Sequence, residues 1–133
     1  QNNPSDIIKL IEFYSTNNYK LVGGIRSKRK DSLIKIVSSK VANKIRELIL
    51  NDDCTDTGCS LKVFDKKAFL EFPFFDSIHR FLPALFKGYG HKTFFLNVDH
   101  RPRIKGVSKY GTIDRLFKGI QDIFRVKKIL KNK

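Results

Sequence analysis

The sequence predicts a mixed α/β domain, because segments with helical periodicity and segments with strand periodicity alternate along it. The predicted order is helix, strand, helix, strand, helix, strand, helix. The chain has 133 residues, of which 41% are hydrophobic and 12% are aromatic, so it can bury one modest core.

The first half of the chain contains the clearest boundary signals. Asn3-Pro4-Ser5-Asp6 is typical of a helix start, with a capping residue followed by proline at the first helical position. Asn17-Asn18 is predicted to end this helix. Residues 19–23 are predicted to form a short buried strand, which Gly23-Gly24 breaks. A long helix is predicted over 32–50. Its apolar residues, which share one face, are Ile34, Val37, Val41, Ile45 and Leu48.

The middle of the chain is predicted to contain shorter elements. A loop is predicted over 51–58, a strand over 60–64 and a short helix over 66–71. Residues 76–86 are predicted to form a further helix that is capped by the aspartate at its start. The alternation of polar and apolar residues over 92–98 predicts another strand.

The last part of the chain is predicted to contain a long loop and a helix. Residues 99–111 have no apolar period, which predicts a long functional loop. The spacing predicts a helix over 112–130. Its apolar stripe consists of Ile113, Leu116, Phe117, Ile120, Ile123 and Phe124. Two interpretations stay open: a helix that lies against the inner leaflet of a membrane, or an ordinary amphipathic core helix.

The charge is strongly basic and unevenly distributed. The chain has 27 Lys and Arg against 13 Asp and Glu, a formal net charge of +14. An acidic segment over 51–76 separates two basic segments. This pattern favours a phosphate-bearing partner: a nucleic acid, a nucleotide or an anionic membrane face. The two cysteines are too few for a disulfide framework, and neither a signal peptide nor a long apolar run is visible, so a cytoplasmic setting is expected.

Three polar constellations are candidate functional sites. Asp56 could project into a cleft, or it could bond its own backbone in a turn. His79-Arg80 could bind an anionic group, or it could lie solvated on a helix face. The loop that contains Arg103, Ser108 and Lys109 offers donors that suit phosphate, and its alternative interpretation is an exposed basic loop. No Cys or His spacing typical of a structural zinc site is present.

Several motifs, taken in order, resemble one family. Gly24-Ile25-Arg26 and Ser39-Lys40-Val41-Ala42-Asn43 resemble the Gly-x-Arg and Ser-Arg-x-Ala-Asn segments of family 2 glycosyltransferases of the dolichyl-phosphate mannose synthase type. Asp56-Thr57-Gly58-Cys59, residues 79–85 and residues 97–111 are similar to the second half of these enzymes. The similarity covers nearly the whole chain.

The resemblance implies a fold and an activity. The fold is the C-terminal part of a GT-A (nucleotide-diphospho-sugar transferase) fold, with a mixed sheet and flanking helices. The activity is inverting transfer of a sugar from a nucleotide-sugar to a polyprenyl phosphate, at the cytoplasmic face of the membrane. By role, the resemblance implies Asp56 as the catalytic acidic residue, Arg26, Arg103, Ser108 and Lys109 at the donor diphosphate, and Ser39, Lys40, His79 and Arg80 at the acceptor.

The family pattern is incomplete in this sequence. The first seven residues resemble the stretch that follows the family's DxD motif, so both DxD aspartates and the nucleotide-binding half are absent. The single partial domain then divides into the end of the donor half (1–50), the acceptor and catalytic part (51–111) and a basic amphipathic helix (112–133). Mg²⁺ or Mn²⁺ is expected in the complete enzyme, with Gln1 near the metal. The chain alone is expected to be inactive and to bind no metal tightly.

Two other classes of function stay open at this point. A charge of +14 would also suit a nucleic-acid-binding module. The basic residues are not interleaved with aromatic residues that look exposed, however, so nucleic acid is not the expected partner. The second alternative is a non-catalytic interaction domain. The sequence predicts no oligomeric state.

Overall fold

The computed structural model describes residues 2–27, 32–99, 101 and 112–133. The elements in these ranges confirm the predicted α/β class. The helices are α1 (Pro4–Thr16), α2 (Leu33–Leu50), α3 (Lys66–Leu70), α4 (Leu82–Gly88) and α5 (Thr112–Asn132). The strands are β1 (Leu21–Ser27), β2 (Lys62–Phe64) and β3 (Thr93–Asp99).

The three described strands form one mixed sheet in the order β2-β1-β3. β1 runs antiparallel to β2 and parallel to β3, with Arg26 opposite Val98 and Ser27 opposite Asp99. Parallel strands end at the same edge of a sheet, so the carboxyl ends of β1 and β3 lie side by side. In parallel sheets this edge commonly carries functional side chains.

The prediction that Gly23-Gly24 ends the first strand is wrong, because β1 continues through both glycines to Ser27. A Cβ atom on Gly23 would lie 2.9 Å from the Phe95 ring, and a Cβ atom on Gly24 would lie 2.9 Å from Cγ2 of Val98. The glycines therefore allow close approach of neighbouring side chains to the strand and do not interrupt it.

Local capping explains where the helices begin. The Asn3 side chain accepts a hydrogen bond from the Ser5 amide at the start of α1, and Ser32 and Asp65 do the same for the Lys35 and Ala68 amides of α2 and α3. The predicted helix over 76–86 is wrong in its first half. A 3₁₀ turn at 78–80 precedes α4, and Ser77 has a positive φ of 71°. The Asp76 carboxylate contacts Lys118 at 2.6 Å, and this contact lowers the pKa of Asp76.

The sheet separates two apolar clusters. Successive side chains of a strand point to opposite faces, so Leu21 lies in one cluster and Val22 in the other. The larger cluster contains most of α4 together with Ile123 and Val126 of α5. The smaller cluster contains Leu10 of α1.

Two apolar stripes that the sequence predicted lie largely outside these clusters. On α2, the stripe residues Ile34, Val37, Val41, Ile45 and Leu48 are 45–80% exposed. On α5, the corresponding residues except Ile123 are 41–69% exposed, so the residues that the structure describes do not bury this stripe in the core. The two helices contact each other.

Candidate active site

Asp56 and Arg26 form the centre of the candidate site. Arg26 lies near the carboxyl end of β1, and Asp56 lies in the loop before β2. Arg26 donates to the Asp56 carboxylate three times: from Nη2 at 2.7 Å, from Nε at 2.8 Å and from the backbone amide at 3.1 Å. The pair is largely withdrawn from water, with side-chain exposures of 17% for Arg26 and 8% for Asp56. This fork-shaped contact holds the carboxylate in one orientation.

Gly58 makes room for this contact. A Cβ atom at Gly58 would lie 2.7 Å from Nη2 of Arg26 and 3.4 Å from Oδ1 of Asp56. The glycine of the Asp56-Thr57-Gly58-Cys59 motif therefore has a steric role, because any larger residue would meet the guanidinium.

A second arginine also binds the loop that contains Asp56. Arg46 of α2 is 4% exposed, and its Nε donates to Oδ2 of Asp52 at 2.5 Å. Its Nη1 donates to Oγ1 of Thr57 at 2.7 Å, and its Nη2 donates to the carbonyl of Cys54. Residues on both sides of Asp56 are thus bound to one guanidinium.

Lys62 binds backbone carbonyls in the last part of the same loop. Its Nζ donates to the carbonyl of Cys59 and contacts that of Thr57 at 3.5 Å. Burial lowers the pKa of Lys62. The thiols of Cys54 and Cys59 are free and buried, and burial raises the pKa of Cys54 to about 11 and also raises that of Cys59. Neither thiol is suited to act as a nucleophile at neutral pH.

The predicted acceptor residues of α2 lie at different distances from this loop. Ser39 accepts a hydrogen bond from Nδ2 of Asn43 at 3.3 Å, and Oδ1 of Asn43 accepts from Oγ1 of Thr57 at 3.2 Å. Ser39 is therefore connected to the Asp56 loop through a single side chain. Lys40 is exposed on α2.

The predicted acceptor residues His79 and Arg80 lie in the 3₁₀ turn that precedes α4. His79 is exposed and Arg80 is half-buried. Partial desolvation, then the charges of Arg80 and Lys62, lower the pKa of His79. The imidazole is therefore mostly neutral at neutral pH, and it can both donate and accept a hydrogen bond.

Four predicted site residues lie outside the described residues: Gln1, Arg103, Ser108 and Lys109. The hypothesis that basic groups of the 99–111 loop fold toward Asp56 thus stays a prediction. Among the residues that the structure does describe, no group of three or more His, Cys, Asp or Glu side chains could hold a metal ion. The described part of the chain also has no helix long and apolar enough to span a membrane.

The sequence patterns gave no site role to Arg46, Asn43, Asp52 or Lys62. The spacing of Ser39, Asn43, Arg46 and Leu50 indicates a shared helix face, because these residues recur at helical intervals of three and four. They form a mainly polar stripe that faces the domain, while the apolar stripe of α2 is exposed.

Comparison with known proteins finds similarity to enzymes whose names describe sugar transfer to polyprenyl phosphates. It is 33% identical over 129 residues to dodecaprenyl-phosphate galacturonate synthase of Rhizobium johnstonii, covering 95% of this chain and 38% of that protein. It is 31% identical over 110 residues to undecaprenyl-phosphate 4-deoxy-4-formamido-L-arabinose transferase of Pectobacterium carotovorum, covering 83% of this chain and 33% of that protein. The transferase of the same name from Aeromonas hydrophila is 31% identical over 111 residues, covering 84% and 34%.

The chain is homologous to polyprenyl-phosphate glycosyltransferases. This confirms the resemblance that the ordered motifs indicated. The chain spans about a third of the length of the relatives that it matches, as expected for a partial domain. No protein-family model matches the chain. No solved structure matches it either. The helices and strands confirm the α/β class, and the GT-A fold stays an expectation.

Proposed function

We propose that the complete gene product that carries this chain transfers a sugar from a nucleotide-sugar to a polyprenyl phosphate. In this proposal the chain supplies the acidic residue that faces the reacting centre, Asp56, and part of the acceptor site. The observation that carries the proposal is the Arg26–Asp56 pair. It holds a carboxylate in a fixed orientation near the carboxyl end of β1, in a chain homologous to such transferases.

The chemistry requires orientation more than proton removal. The phosphate oxygen of the acceptor attacks the anomeric carbon, a new carbon–oxygen bond forms, and the bond to the nucleotide diphosphate breaks. A phosphate monoester has a second pKa of about 6 and is already largely anionic at neutral pH. Asp56 therefore orients the acceptor or the sugar, and its three hydrogen bonds from Arg26 suit that role.

The donor diphosphate requires positive charge that the Arg26–Asp56 pair alone does not provide, because the pair is neutral as a whole. The proposal assigns this charge to Arg103 and Lys109 of the following loop, which act beside Arg26, and assigns Ser108 as an uncharged hydrogen-bond donor. On the acceptor side it assigns Ser39, Lys40, His79 and Arg80. Ser39 is supported by its connection to Thr57 through Asn43.

A Mg²⁺ or Mn²⁺ ion belongs to the proposal only for the complete protein. When bound, such an ion would neutralise charge on the diphosphate. The described residues offer no set of ligands for it, so the proposal places the ion outside them and gives these residues no step that depends on it.

The exposed apolar stripes support a location at a membrane surface. Phe117 and Phe124 of α5 are 65% and 58% exposed, and Ile34 and Leu48 of α2 are 80% and 73% exposed. Large exposed apolar areas commonly mark an interaction surface. We propose that α2 and α5 lie against the cytoplasmic face of an anionic membrane, where Lys and Arg residues of the same helices meet lipid phosphates.

The Asp56 hypothesis is tested by Asp56→Asn in the complete gene product. We expect turnover to fall by about 100-fold or more, because the loss of correct orientation of a reacting group has an effect of this size. Donor affinity should stay within about twofold. Sugar transfer is measured with labelled nucleotide-sugar and a short polyprenyl phosphate. Asp53→Asn is the matched control, since Asp53 lies on the same loop and its side chain is 65% exposed. Unchanged turnover in Asp56→Asn would remove Asp56 from the mechanism.

The membrane hypothesis is tested by sedimentation of the chain with lipid vesicles. We expect binding to vesicles with anionic lipid, weaker binding to neutral vesicles, and loss of binding in a variant with Phe117→Ser and Phe124→Ser. Replacement of Ile123, which is 8% exposed, would disturb the core and is unsuitable as a control. Leu70→Ser is the control, because Leu70 is 67% exposed and belongs to α3, which carries neither stripe. Equal sedimentation with neutral and anionic vesicles would contradict the electrostatic part of the hypothesis.

A further inference from the structure

Arg46 is a buried cation on α2, a helix whose apolar stripe from Ile34 to Leu48 is exposed. Its guanidinium is 4% exposed and contacts acceptors at three positions of the 52–57 loop: Asp52, Cys54 and Thr57. It also contacts Oδ1 of Asn43, its neighbour on α2. One side chain therefore binds a carboxylate, a carbonyl and a hydroxyl in a segment that has no regular secondary structure.

Stability alone is a weak explanation for this arrangement. Removing a guanidinium from water costs several kcal/mol, and replacing a buried ion pair by apolar residues is often neutral or stabilising. What the arrangement does supply is geometry. A planar guanidinium with five donors binds several acceptors at fixed angles. Cys54 and Thr57 flank Asp56, and Asp56 itself pairs with Arg26.

We propose that Arg46 is the positioning residue for Asp56. It binds the loop on both sides of Asp56 and so presents the carboxylate to Arg26 and to the reacting centre. The inference rests on the proposed function of Asp56 and extends it to a residue that touches no substrate.

The same network sets the position of α2 relative to the loop. Oδ1 of Asn43 receives hydrogen bonds from Arg46 and from Oγ1 of Thr57, and Nδ2 of Asn43 donates to Ser39. A change at Arg46 therefore alters the distance between Asp56 and the proposed acceptor residue Ser39. The network reaches Arg26 on the donor side only through Asp56, so acceptor use should suffer far more than donor affinity.

The test is Arg46→Lys, which keeps the positive charge and removes the planar guanidinium with its several donors. In the complete gene product we expect kcat to fall by about 100-fold, the size expected for a displacement of about 1 Å in a reacting group. The KM for the donor should stay within about twofold. In the chain carrying Cys59→Ser, the rate at which a thiol reagent modifies Cys54 should rise by about tenfold or more, because Arg46 holds the Cys54 carbonyl.

The matched control is Lys87→Met. Lys87 also binds this loop, through Asp53, but the two side chains are 34% and 65% exposed. Exposed pairs contribute little, so both kcat and Cys54 protection should stay within about twofold. If the loss of any contact were enough to loosen the loop, kcat and Cys54 protection would fall in both variants.

The outcomes separate this inference from the function on which it rests. Unchanged kcat in a folded Arg46→Lys variant overturns the positioning role, whether or not Cys54 becomes reactive. If Arg46→Lys does not fold, Thr57→Val decides the same question, because it removes one Arg46 acceptor and keeps the side-chain shape; unchanged kcat there also overturns it. Full activity of Asp56→Asn would instead reject the proposed role of Asp56, while Cys54 protection would still report whether Arg46 holds the loop.

Discussion

The Arg26–Asp56 pair should be strongly coupled, and a double-mutant cycle in the chain measures that coupling. The perturbations are Arg26→Met, Asp56→Asn and both together. Two guanidinium hydrogen bonds of 2.7 and 2.8 Å join the side chains. Hydrogen bonds to charged groups contribute about 1.5–3 kcal/mol each. The side chains are 17% and 8% exposed, so screening by water is small. We expect a coupling energy of about 2–4 kcal/mol, because the bonds are not fully additive.

The assay is urea unfolding of the four proteins, followed by far-UV circular dichroism. The stability losses of the two single variants should together exceed the loss of the double variant, since each single variant removes charged hydrogen bonds from a buried group that stays. The comparison pair is Lys118–Asp76, whose side chains are 51% and 83% exposed. We expect no measurable coupling there. A coupling energy below about 0.5 kcal/mol for Arg26–Asp56 would refute the view that the pair fixes the carboxylate.

Two further predictions concern the same loop. Cys54 has a folded pKa of about 11 against 9.0 for a free thiol, so the stability it contributes is complete below pH 9 and is lost as the pH rises toward 11. Burial of Lys62 acts in the opposite sense, because its folded pKa is lowered. Cys54→Ala should therefore show a loss of unfolding free energy between pH 8 and 10.5 that is about 2 kcal/mol smaller than in the parent chain; equal losses would contradict it. Gly58→Ala should displace the Arg26 guanidinium and cost about 1–2 kcal/mol in urea unfolding, with almost no cost in an Arg26→Met background, and equal costs in both backgrounds would exclude this clash.

The starts of α1 and α2 could be predicted because their causes are local. Asn3 and Ser32 cap amides two and three residues further on, so the whole signal lies within one short stretch of sequence. The error at Gly23-Gly24 has the opposite origin. Those glycines are explained by Phe95 and Val98, more than 70 positions away, and no local pattern carries that information.

The sequence predicted Arg26 and Asp56 as residues of the candidate site, but it did not predict the contact between them. Arg26 and Asp56 each belong to a motif that the sequence shows, but they are 30 positions apart and their pairing depends on the β1–β2 arrangement. Arg46 was missed for a related reason. An arginine within a helix is usually solvated, and only its non-local acceptors in the 52–57 loop distinguish it from the exposed cations of the same helix.

α2 presents its polar and apolar sides in the reverse of the usual arrangement. In an isolated globular domain the apolar stripe of such a helix would turn toward the core, because burial of apolar surface is the dominant favourable contribution to folding. Here Arg46 is buried while Val37 and Val41 are half exposed or more. The hydrogen bonds from Arg46 to the 52–57 loop oppose rotation of the helix. Such a rotation would move the Arg46 guanidinium away from the buried Asp52 carboxylate. The apolar side is then left uncovered by the residues that the structure describes. If the proposed membrane contact covers this side, one helix would bind lipid on one side and position the proposed catalytic loop on the other. Membrane docking and the geometry of Asp56 would then depend on the same element.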